Sequence, residues 1–413
     1  MKFAICYNDI YLVEGARTPF GKFCGGLGSV SPTDLGIIAS RGAIQKAGIK
    51  PEDIHHVVFA NILQSSFDAI YLPRHVGLYC GIPVDVPALL VQRICGSGFE
   101  SIISAAEQIV LGKAGVVLAG GAENMTLTPT SSFGNRLGYR LGGVNFKDML
   151  WEGLFDPSAN CSMGDTAENL GKKYHLTRNE VDDFAFRSHT QAFARMTDGT
   201  FDQEIVSVAS GVHEVEGLQP RKFRTSPPKV TVERDENIRQ ANRESMASLR
   251  PTFAQDGLQT AGNSSGIVDG AAAVIIASGV ELKQKNLTGL VKIVASASAA
   301  VEPNIMGIGP APAIRNVLEV TGLSMDDIDL FEINEAFGAQ IVAVEKELQI
   351  DREKLNVNGG AIAIGHPLAA TGTRLTHTLA YELKRRNKRY GIASACIGGG
   401  QGTAILIENE FVS

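Results

Sequence analysis

Short apolar runs closed by glycine alternate along this chain with segments whose apolar residues recur at helical spacing. The runs at 55–63, 87–94 and 115–120 are rich in Val, Ile, Leu or Phe and predict buried strands. Between the last two runs, apolar residues recur every three or four positions over 99–110, and Gly112 follows where a helix C-cap is expected. This order of strand, glycine turn, helix and strand predicts an α/β protein whose sheets are buried by helices.

The C-terminal part repeats the same order of elements. Its patterns predict a strand at 287–300, a helix at 311–321 before Gly322, a strand entering a helix at 328–337, a helix at 373–386, and strands at 389–396 and 403–409. The region between the two parts is richer in charge and proline. We therefore predict an N-terminal half formed by residues 1–124 and 267–289, a loop domain at 125–266, and a C-terminal half at 290–413.

Composition and charge narrow the functional classes. The 413 residues carry 38 Lys plus Arg against 44 Asp plus Glu, a net charge of −6, whereas a nucleic-acid binder usually shows a basic excess. No apolar run is long enough to cross a membrane. The N-terminus is better interpreted as a first strand from Asp9 to Glu14 than as a signal peptide, which predicts a cytoplasmic protein. The six cysteines form no Cys-x-x-Cys pair, so we expect free thiols and no metal site.

Three chemically capable side chains stand on glycine-rich turns. Cys95, in RICGSGFES, precedes the predicted helix, and the positive end of a helix dipole favours a thiolate. Cys396, in SACIGGGQG, is followed by glycines whose backbone N–H groups could bind an oxyanion. His366, before Pro367 in an apolar segment, suits a base that works near neutral pH. The segment around Cys95 favours a reactive thiol over a structural one, whereas Cys396 or His366 alone would more often be structural, and Asn334 alone could be a helix N-cap.

Taken in order, these segments resemble the motifs of the thiolase family over essentially the whole chain. The similar blocks are VEGARTPFGKF, CGSGFESI, GGAENMT, MGDTAENL, TAGNSSGIVDGAAAV, IMGIGP, NEAFGA, NVNGGAIAIGHP and CIGGGQGTA. The resemblance implies a thiolase-like fold, in which two similar halves pack into an α-β-α-β-α core and an inserted loop domain binds coenzyme A (CoA). It also implies a homodimer or a homotetramer built as a dimer of dimers.

The resemblance further implies a role for each candidate. Cys95 would carry the acyl group as a thioester, and His366 would take the thiol proton. Cys396 would act as the acid and base at the α-carbon of the second substrate or at the thiol of CoA. The backbone N–H groups of Cys95 and Gly398 would form one oxyanion hole, and His366 with a water held by Asn334 would form the other.

The resemblance also implies a set of residues that bind CoA and the acyl group: Leu154, Met163, Arg239, Phe253, Ala261, Ser265, Met306 and Phe337. From their charge alone, Arg221, Lys222, Arg224 and Arg239 are candidates for phosphate contacts, although each could be an ordinary surface charge. The expected substrates are acetyl-CoA and 3-ketoacyl-CoA, with CoA itself a substrate, and no permanently bound cofactor. We expect neither a nucleic acid nor a membrane as partner.

The implied activity is an acyl-CoA:acetyl-CoA C-acyltransferase, which condenses two acetyl-CoA or cleaves a 3-ketoacyl-CoA with CoA. The alternatives are a longer-chain thiolase of fatty-acid breakdown and a non-catalytic acyl-CoA-binding scaffold, but a pure binder needs none of the three side chains. Ketoacyl synthases of similar fold lack a second catalytic cysteine, so Cys396 argues against that class. Cys161-Ser162 stands where short-chain biosynthetic members commonly carry Tyr-His, which leaves the preferred chain length open.

Overall fold

A computed structural model of the chain describes residues 3–139 and 141–412. Its strands are β1 (Ala4–Cys6), β2 (Ile10–Arg17), β3 (Gly21–Lys22), β4 (His56–Ala60), β5 (Ala88–Val91), β6 (Val116–Glu123), β7 (Thr130–Ser131), β8 (Lys147–Asp148), β9 (Phe155–Asp156), β10 (Cys161–Ser162), β11 (Gly211–His213), β12 (Arg221–Phe223), β13 (Val268–Ser278), β14 (Val291–Ala300), β15 (Leu330–Ile333), β16 (Tyr390–Ile397) and β17 (Gln401–Glu408).

The helices follow the periodic segments of the sequence. They are α1 (Pro32–Ala47), α2 (Leu72–Tyr79), α3 (Ser97–Val110), α4 (Met149–Gly153), α5 (Met163–Lys173), α6 (Arg178–Thr197), α7 (Arg243–Ala247), α8 (Gly279–Lys285), α9 (Pro310–Thr321), α10 (Gly338–Leu348), α11 (Ala361–Ile364) and α12 (Leu368–Arg385). The predicted helix at 99–110 is thus confirmed, two residues longer at its N-terminal end. The helix predicted at 373–386 begins earlier, directly after Pro367.

Within the described residues, eleven strands form one hydrogen-bonded sheet. Nine of them follow the order β15-β16-β17-β14-β2-β13-β6-β4-β5, while β1 pairs with β14 and β3 with β13 beside this path. In the N-terminal part, β4 runs parallel to β5 and β6, while β13 is antiparallel to β2 and β6. In the C-terminal part, β15 is parallel to β16, and β17 is antiparallel to β14 and β16. The two parts are joined in the sheet by the short pairing of β14 with β2 and by the pairing of β1 with β14.

Three helix layers cover the faces of these two parts. Helices α1 and α2 pack on the outer face of the N-terminal part, and α9 and α10 pack on the outer face of the C-terminal part. Helices α3 and α12 lie between the parts and share a core with both. Along β13, Ile275 faces the α1–α2 core, while Val274 and Ile276 face the α3–α12 core, as the two-residue period of a strand requires. The predicted α/β class is confirmed.

Strand β5 departs from its prediction as a buried strand. It forms the end of the sheet path and pairs with β4 alone, so one of its edges has no neighbour in the described chain. None of its residues is fully buried, and Leu89 is 39% exposed. A continuous apolar run fits a strand in the middle of a sheet, but the sequence of one chain does not reveal which strand ends at an edge.

The crossing of α3 and α12 explains two glycines near the candidate cysteine and histidine. A Cβ built on Gly98 would lie 2.7 Å from the backbone nitrogens of Gly372 and Thr373, and one built on Gly372 would overlap the backbone of Phe99. The Thr373 hydroxyl donates a hydrogen bond to the Gly98 carbonyl across this crossing, at 3.1 Å. The two helices therefore touch through their backbones, and their N-terminal ends, which follow Cys95 and His366, converge.

Replacing Gly372 with alanine is expected to lower the free energy of unfolding by about 2 kcal/mol or more. Alanine ordinarily stabilises a helix interior by about 0.5–1 kcal/mol relative to glycine, but overpacking against an immovable backbone costs about 1–3 kcal/mol and occasionally more. Urea denaturation measures the difference. Gly143→Ala is the matched control, because a Cβ there meets nothing within 4 Å. A Gly372→Ala variant as stable as the wild type would contradict the close crossing.

Candidate active site

Cys95 lies on a strained turn between β5 and α3. The preceding residue, Ile94, adopts a positive φ of 44°, a conformation that is sterically unfavourable for a β-branched side chain. Gly96 follows as the N-cap of α3. A Cβ on Gly96 would overlap the side chain of Ile397, so this turn packs directly on the end of the strand that carries Cys396. Strain of this kind is typical of functional turns that hold one side chain in a fixed position.

The environment of Cys95 reverses the expectation of a stabilised thiolate. The pKa of the Cys95 thiol is raised to about 11, chiefly by burial and to a smaller extent by the nearby Glu123 carboxylate. The backbone N–H groups of Gly398 and of Cys95 itself face the sulfur and oppose that rise in the pKa. The helix terminus is therefore outweighed by desolvation, which sequence position alone does not report. A thiol in this state requires a base before it can act as a nucleophile.

His366 provides a base in the right protonation state. Burial, with the charge of Arg374 as the second cause, lowers the pKa of His366 to about 3, so the imidazole is neutral at physiological pH. Its Nδ1 lies 2.6 Å from the Thr371 hydroxyl, which donates its own proton to the Pro367 carbonyl at 3.0 Å. Nδ1 must then be the protonated nitrogen, which leaves the lone pair on Nε2. The histidine is thus a neutral acceptor at Nε2.

Asn334 lies next to this nitrogen. Its Nδ2 is 3.3 Å from Nε2 of His366, and its backbone N–H donates to the Ser394 carbonyl at 2.9 Å, which ties the end of β15 to β16. The alternative of a helix cap is wrong, because α10 begins four residues later at Gly338. Within the described residues, Oδ1 of Asn334 is buried without a hydrogen-bond partner. A buried polar atom of this kind indicates a place where substrate or a bound water completes the hydrogen bonding.

Cys396 is fully buried in β16, close to the position of Cys95. Burial raises the pKa of the Cys396 thiol, and the charge on Cys95 would raise it further, so the two sulfurs interact electrostatically. The side chain of Cys396 packs in one cluster with Met163 and Met306. Unlike a cysteine in an exposed glycine hairpin, it faces the interior, and it stays protonated near neutral pH.

An apolar cavity of about 150 Å³ opens onto Cys95 and His366. The side chains predicted to bind substrate that line it are Leu154, Met163, Phe253, Ser265, Met306 and Phe337. Lining residues that the sequence did not suggest are Met125, Trp151, Phe155, Ile267, Ala336 and Leu368. The segment around Ser265 is held in place by its N–H donating to the Ala336 carbonyl at 3.1 Å. The lining is mostly hydrophobic with few polar groups, as is typical of ligand sites.

Two residues predicted to bind substrate, and one basic residue considered for phosphate binding, lie outside the cavity. Ala261 and Arg239 are exposed and do not line the cavity. Arg221 is engaged in ion pairs with Asp34 at 2.9 Å and Asp68 at 2.7 Å, so it stabilises the fold rather than awaiting a phosphate.

Among the other basic candidates, Lys222 and Arg224 are exposed on and beside β12. Ser162, where the family resemblance led us to expect a histidine in short-chain members, lines the cavity. Its hydroxyl donates to the Asp165 carboxylate at 2.7 Å and caps α5, so it is not free to contact substrate.

Thr371 and Glu123 are site residues that sequence reasoning missed. Thr371 was detectable, because its position five residues after His366 places it in the first turn of α12. Glu123 belongs to the GGAENMT block, which by itself suggests no role for the carboxylate. This carboxylate accepts hydrogen bonds from the Asn61 side chain at 3.0 Å and from the Leu63 N–H at 3.1 Å. Burial raises the pKa of the Glu123 carboxyl to about 7. Its contacts are satisfied by the protein, which makes it a support for the site.

Thr371→Val is expected to lower kcat about 5- to 150-fold with little change in KM. Valine removes the acceptor of the Nδ1 proton, and a buried donor left without a partner costs about 1–3 kcal/mol, or one tenfold step in rate per 1.36 kcal/mol. Steady-state kinetics measure both constants. Thr371→Ser, which keeps the hydroxyl, is the control and should recover most of the activity. Equal activity of the serine and valine variants would contradict the assignment of the His366 tautomer.

The remaining features of the described residues add two negative findings. No helix in residues 3–139 and 141–412 is long and apolar enough to cross a membrane. Over the same residues, no group of three or more His, Cys, Asp or Glu side chains is placed to hold a metal ion.

Known proteins are similar to this chain over nearly its whole length. Residues 10–279 match the family model described as the thiolase N-terminal domain, and residues 287–409 match the thiolase C-terminal domain. The chain is 45% identical to a mitochondrial 3-ketoacyl-CoA thiolase of Bos taurus, over 97% of this chain and 98% of that protein. It is 41% identical to an acetyl-CoA acetyltransferase of Cupriavidus necator, over 98% of this chain and 100% of that protein.

Solved structures give the same picture. The chain superposes on a crystal structure of human mitochondrial 3-ketoacyl-CoA thiolase in complex with CoA with a TM-score of 0.91 and 43% identity, covering 97% of this chain and 98% of the other. It superposes on the acetyl-CoA acetyltransferase of Bacillus anthracis with a TM-score of 0.90 and 42% identity, covering 98% and 99% of the two chains.

Proposed function

The chain belongs to the thiolase family, and we propose that its acyltransferase reaction proceeds through an acyl thioester on Cys95. The family resemblance and the acyl-CoA:acetyl-CoA C-acyltransferase activity predicted from the sequence motifs are confirmed by these relatives. The observation that carries the proposed mechanism is that Cys95 and His366 line one apolar cavity, with Asn334 beside His366 and with Cys396 packed against Met163 and Met306 of the cavity wall.

In the cleavage direction, the first half-reaction transfers the acyl group to the enzyme. Nε2 of His366 takes the proton of the Cys95 thiol, and the sulfur attacks the 3-keto carbon of the substrate. The N–H groups of Cys95 and Gly398, which flank the sulfur, would donate to the resulting oxyanion. The bond between C2 and C3 then breaks, which leaves the acyl group on Cys95 and the enolate of acetyl-CoA.

The enolate needs a donor for its oxygen and a proton for its carbon. The protonated Nε2 of His366 and a water held by Asn334 would donate to the enolate oxygen, and the Cys396 thiol would deliver its proton to the α-carbon. After acetyl-CoA leaves, the Cys396 thiolate takes the proton of the incoming CoA thiol, and the CoA sulfur attacks the acyl thioester. Cys95 leaves as a thiolate and regains its proton from His366, so every group returns to its initial state.

The cavity residues are assigned here to contacts with CoA and with the reacting groups, while the preferred acyl chain length is decided by the experiment below. Phe253, Ser265 and Phe337 lie on the cavity and would contact the pantetheine arm of CoA, while Leu154, Met163 and Met306 lie near the reacting sulfurs. Arg239 is kept as a contact near the nucleotide end of CoA and Ala261 as a contact of the pantetheine arm, although both are exposed and lie outside the cavity. No permanently bound cofactor takes part in these steps.

The experiment that tests this function follows the loss of ketoacyl-CoA absorbance after CoA is added to the purified protein. Acetoacetyl-CoA and 3-ketooctanoyl-CoA are compared side by side at equal concentration. CoA-dependent cleavage of at least one is expected, and the preferred substrate decides between a short-chain acetyltransferase and a longer-chain thiolase. No cleavage of either substrate would instead favour the scaffold that binds acyl-CoA without turning it over.

Assembly and location also belong to this proposal. The open edge of β5 with the half-exposed Leu89 is a surface on which a second copy of the chain could extend the sheet, which supports a homodimer or a dimer of dimers. Light scattering of the purified protein measures the assembly. The cytoplasmic location stays a prediction from the N-terminal sequence, and the mammalian relatives named above are mitochondrial proteins.

A further inference from the structure

A buried pair of opposite charges lies behind His366 and Asn334. Glu332 precedes Asn334 by two residues along β15, so the two side chains leave the same face of the strand, while the residues on either side of Glu332 face the outer core. Arg374 lies on α12, one turn after Thr371, whose hydroxyl holds His366. Nη1 of Arg374 is 3.7 Å from Oε2 of Glu332, and the two side chains are 2% and 1% exposed. The charge pair therefore connects the helix that follows His366 with the strand that precedes Asn334.

The geometry of this pair is looser than that of a second buried arginine. Both carboxylate oxygens of Glu332, and Nε and Nη2 of Arg374, are buried without a hydrogen-bond partner within the described residues. Arg17, which is also fully buried, donates to Asp235 at 2.7 and 2.9 Å and to Glu204 at 2.9 Å. Buried charges repay their desolvation only with well-aligned hydrogen bonds, so a pair that served stability alone would resemble the contacts of Arg17. The loose pair therefore requires a functional explanation.

We propose that Glu332 and Arg374 are positioning residues that hold α12 and β15 at the separation which His366 and Asn334 require. The inference rests on the proposed function, in which His366 and the water held by Asn334 donate to the enolate oxygen. An arginine stays protonated in a protein, and Glu332 is the only acidic side chain of the described residues within ion-pair distance of Arg374. The charge of Arg374 is also the second cause, after burial, that lowers the pKa of His366, which places the cation near the imidazole.

The charge pair should affect only one of the two oxyanion sites. Cys95 and His366 are brought together by the crossing of α3 and α12, where Gly98 and Gly372 touch through their backbones. That crossing does not involve β15, so the acylation of Cys95 should not depend on the charge pair. The enolate site differs, because His366 precedes α12 and Asn334 follows β15, with 3.3 Å between Nε2 and Nδ2. A shift of the strand against the helix changes this site, and a misplacement of about 1 Å can cost about 10²-fold in rate.

The test measures cleavage of the preferred 3-ketoacyl-CoA and acylation of Cys95 by acetyl-CoA in the same variants. Glu332→Gln removes one charge at nearly unchanged volume and leaves Arg374 without its counter-ion. We expect kcat for cleavage to fall about 10- to 100-fold with KM within about twofold, while the acylation rate stays within about threefold of the wild type. Arg374→Met should show the same selective loss. Glu382→Gln is the matched control and should leave both steps unchanged, because Glu382 is a buried glutamate that pairs with two arginines at the far end of α12.

A double-mutant cycle then connects the charge pair to the enolate site. Added to Asn334→Ala, Glu332→Gln should lower kcat by less than about threefold, since the geometry that the pair maintains is already lost. A full 10- to 100-fold loss in that background would overturn the inference, as would wild-type cleavage in both single variants. Equal loss of cleavage and acylation, including a variant that fails to fold, would show a merely structural pair and overturn it as well. A wild-type enzyme that cleaves no ketoacyl-CoA would instead refute the proposed function itself.

Discussion

Cys95→Ala is expected to lower turnover at least about 10⁴-fold while CoA binding is retained. Covalent catalysis needs the sulfur, since alanine offers no nucleophile and the oxyanion donors alone accelerate little. The side chain of Cys95 contributes few contacts to the apolar cavity that it shares with His366, which is lined mainly by larger apolar residues, so the affinity for CoA should change less than about twofold. Stopped assays with ketoacyl-CoA measure turnover, and calorimetric titration with CoA measures binding.

Cys6→Ala is the matched control for this substitution. Cys6 is exposed on the short strand β1, far along the chain from the turn that carries Cys95, and should tolerate alanine with full activity. Turnover in Cys95→Ala within tenfold of the wild type would sink the acyl-thioester mechanism. Loss of CoA binding together with turnover would instead show that the variant had lost its fold, which near-ultraviolet circular dichroism distinguishes.

Cys396→Ala is expected to slow the cleavage of 3-ketoacyl-CoA strongly and the acylation of Cys95 by a simple acyl-CoA much less. Protonation of the α-carbon depends on the Cys396 thiol, whose raised pKa keeps its proton available, and general acid–base catalysis contributes about 10²–10⁴-fold. Cleavage of 3-ketoacyl-CoA should fall by about that factor. Acylation of Cys95 by a simple acyl-CoA should fall much less, because a thiolate leaving group needs little help from an acid.

Rapid-quench measurement follows the acylation of Cys95 by a simple acyl-CoA separately from the cleavage of 3-ketoacyl-CoA. In Cys396→Ala, the acyl-enzyme is expected to form from the simple acyl-CoA at nearly the wild-type rate, while carbon–carbon cleavage of 3-ketoacyl-CoA is slow. Cys80→Ala serves as the control, since Cys80 is also a buried cysteine but lies with α2 in the outer core of the N-terminal part. Equal loss of both steps in Cys396→Ala would contradict the assignment of Cys396 as the acid at the α-carbon.

Features encoded by local sequence were predictable in this chain. The βαβ order, the turn before α3 and the glycine-rich segments around His366 and Cys396 follow from residues that are neighbours in sequence. The family resemblance also gave six of the residues that line the cavity at Cys95 and His366, and four of them lie within the motif blocks. The α/β fold and the reaction class needed no tertiary information beyond that resemblance.

Features that depend on tertiary packing were not predictable from local sequence. The helix terminus suggested a thiolate at Cys95, but burial by residues from both halves raises its pKa instead. The apolar run of β5 concealed its position at the edge of the sheet. Arg221 looked like a free cation, yet Asp34 and Asp68, more than 150 positions earlier in the chain, neutralise it.

The activity is expected to depend little on pH near neutrality, because burial shifts the pKa values of both His366 and Cys95 away from this range. Since the pKa of His366 is lowered to about 3, its base form is present throughout the range from pH 5 to 9. The acid limb of kcat/KM should therefore lack the inflection near 6.5 that an unperturbed histidine gives. Because the pKa of Cys95 is raised to about 11, no rise from thiolate formation is expected near pH 8.5 either. An acid limb centred near 6.5 would contradict the buried, neutral imidazole.

The most direct test of the central claim is mass spectrometry of the protein after brief exposure to a 3-ketoacyl-CoA without free CoA. Cleavage should leave the acyl group on the enzyme, because its CoA acceptor is absent. The account predicts that the peptide containing Cys95 gains the mass of one acyl group, and that adding CoA removes it. An acyl group on another residue, or none at all from a substrate that the enzyme does cleave, would contradict it.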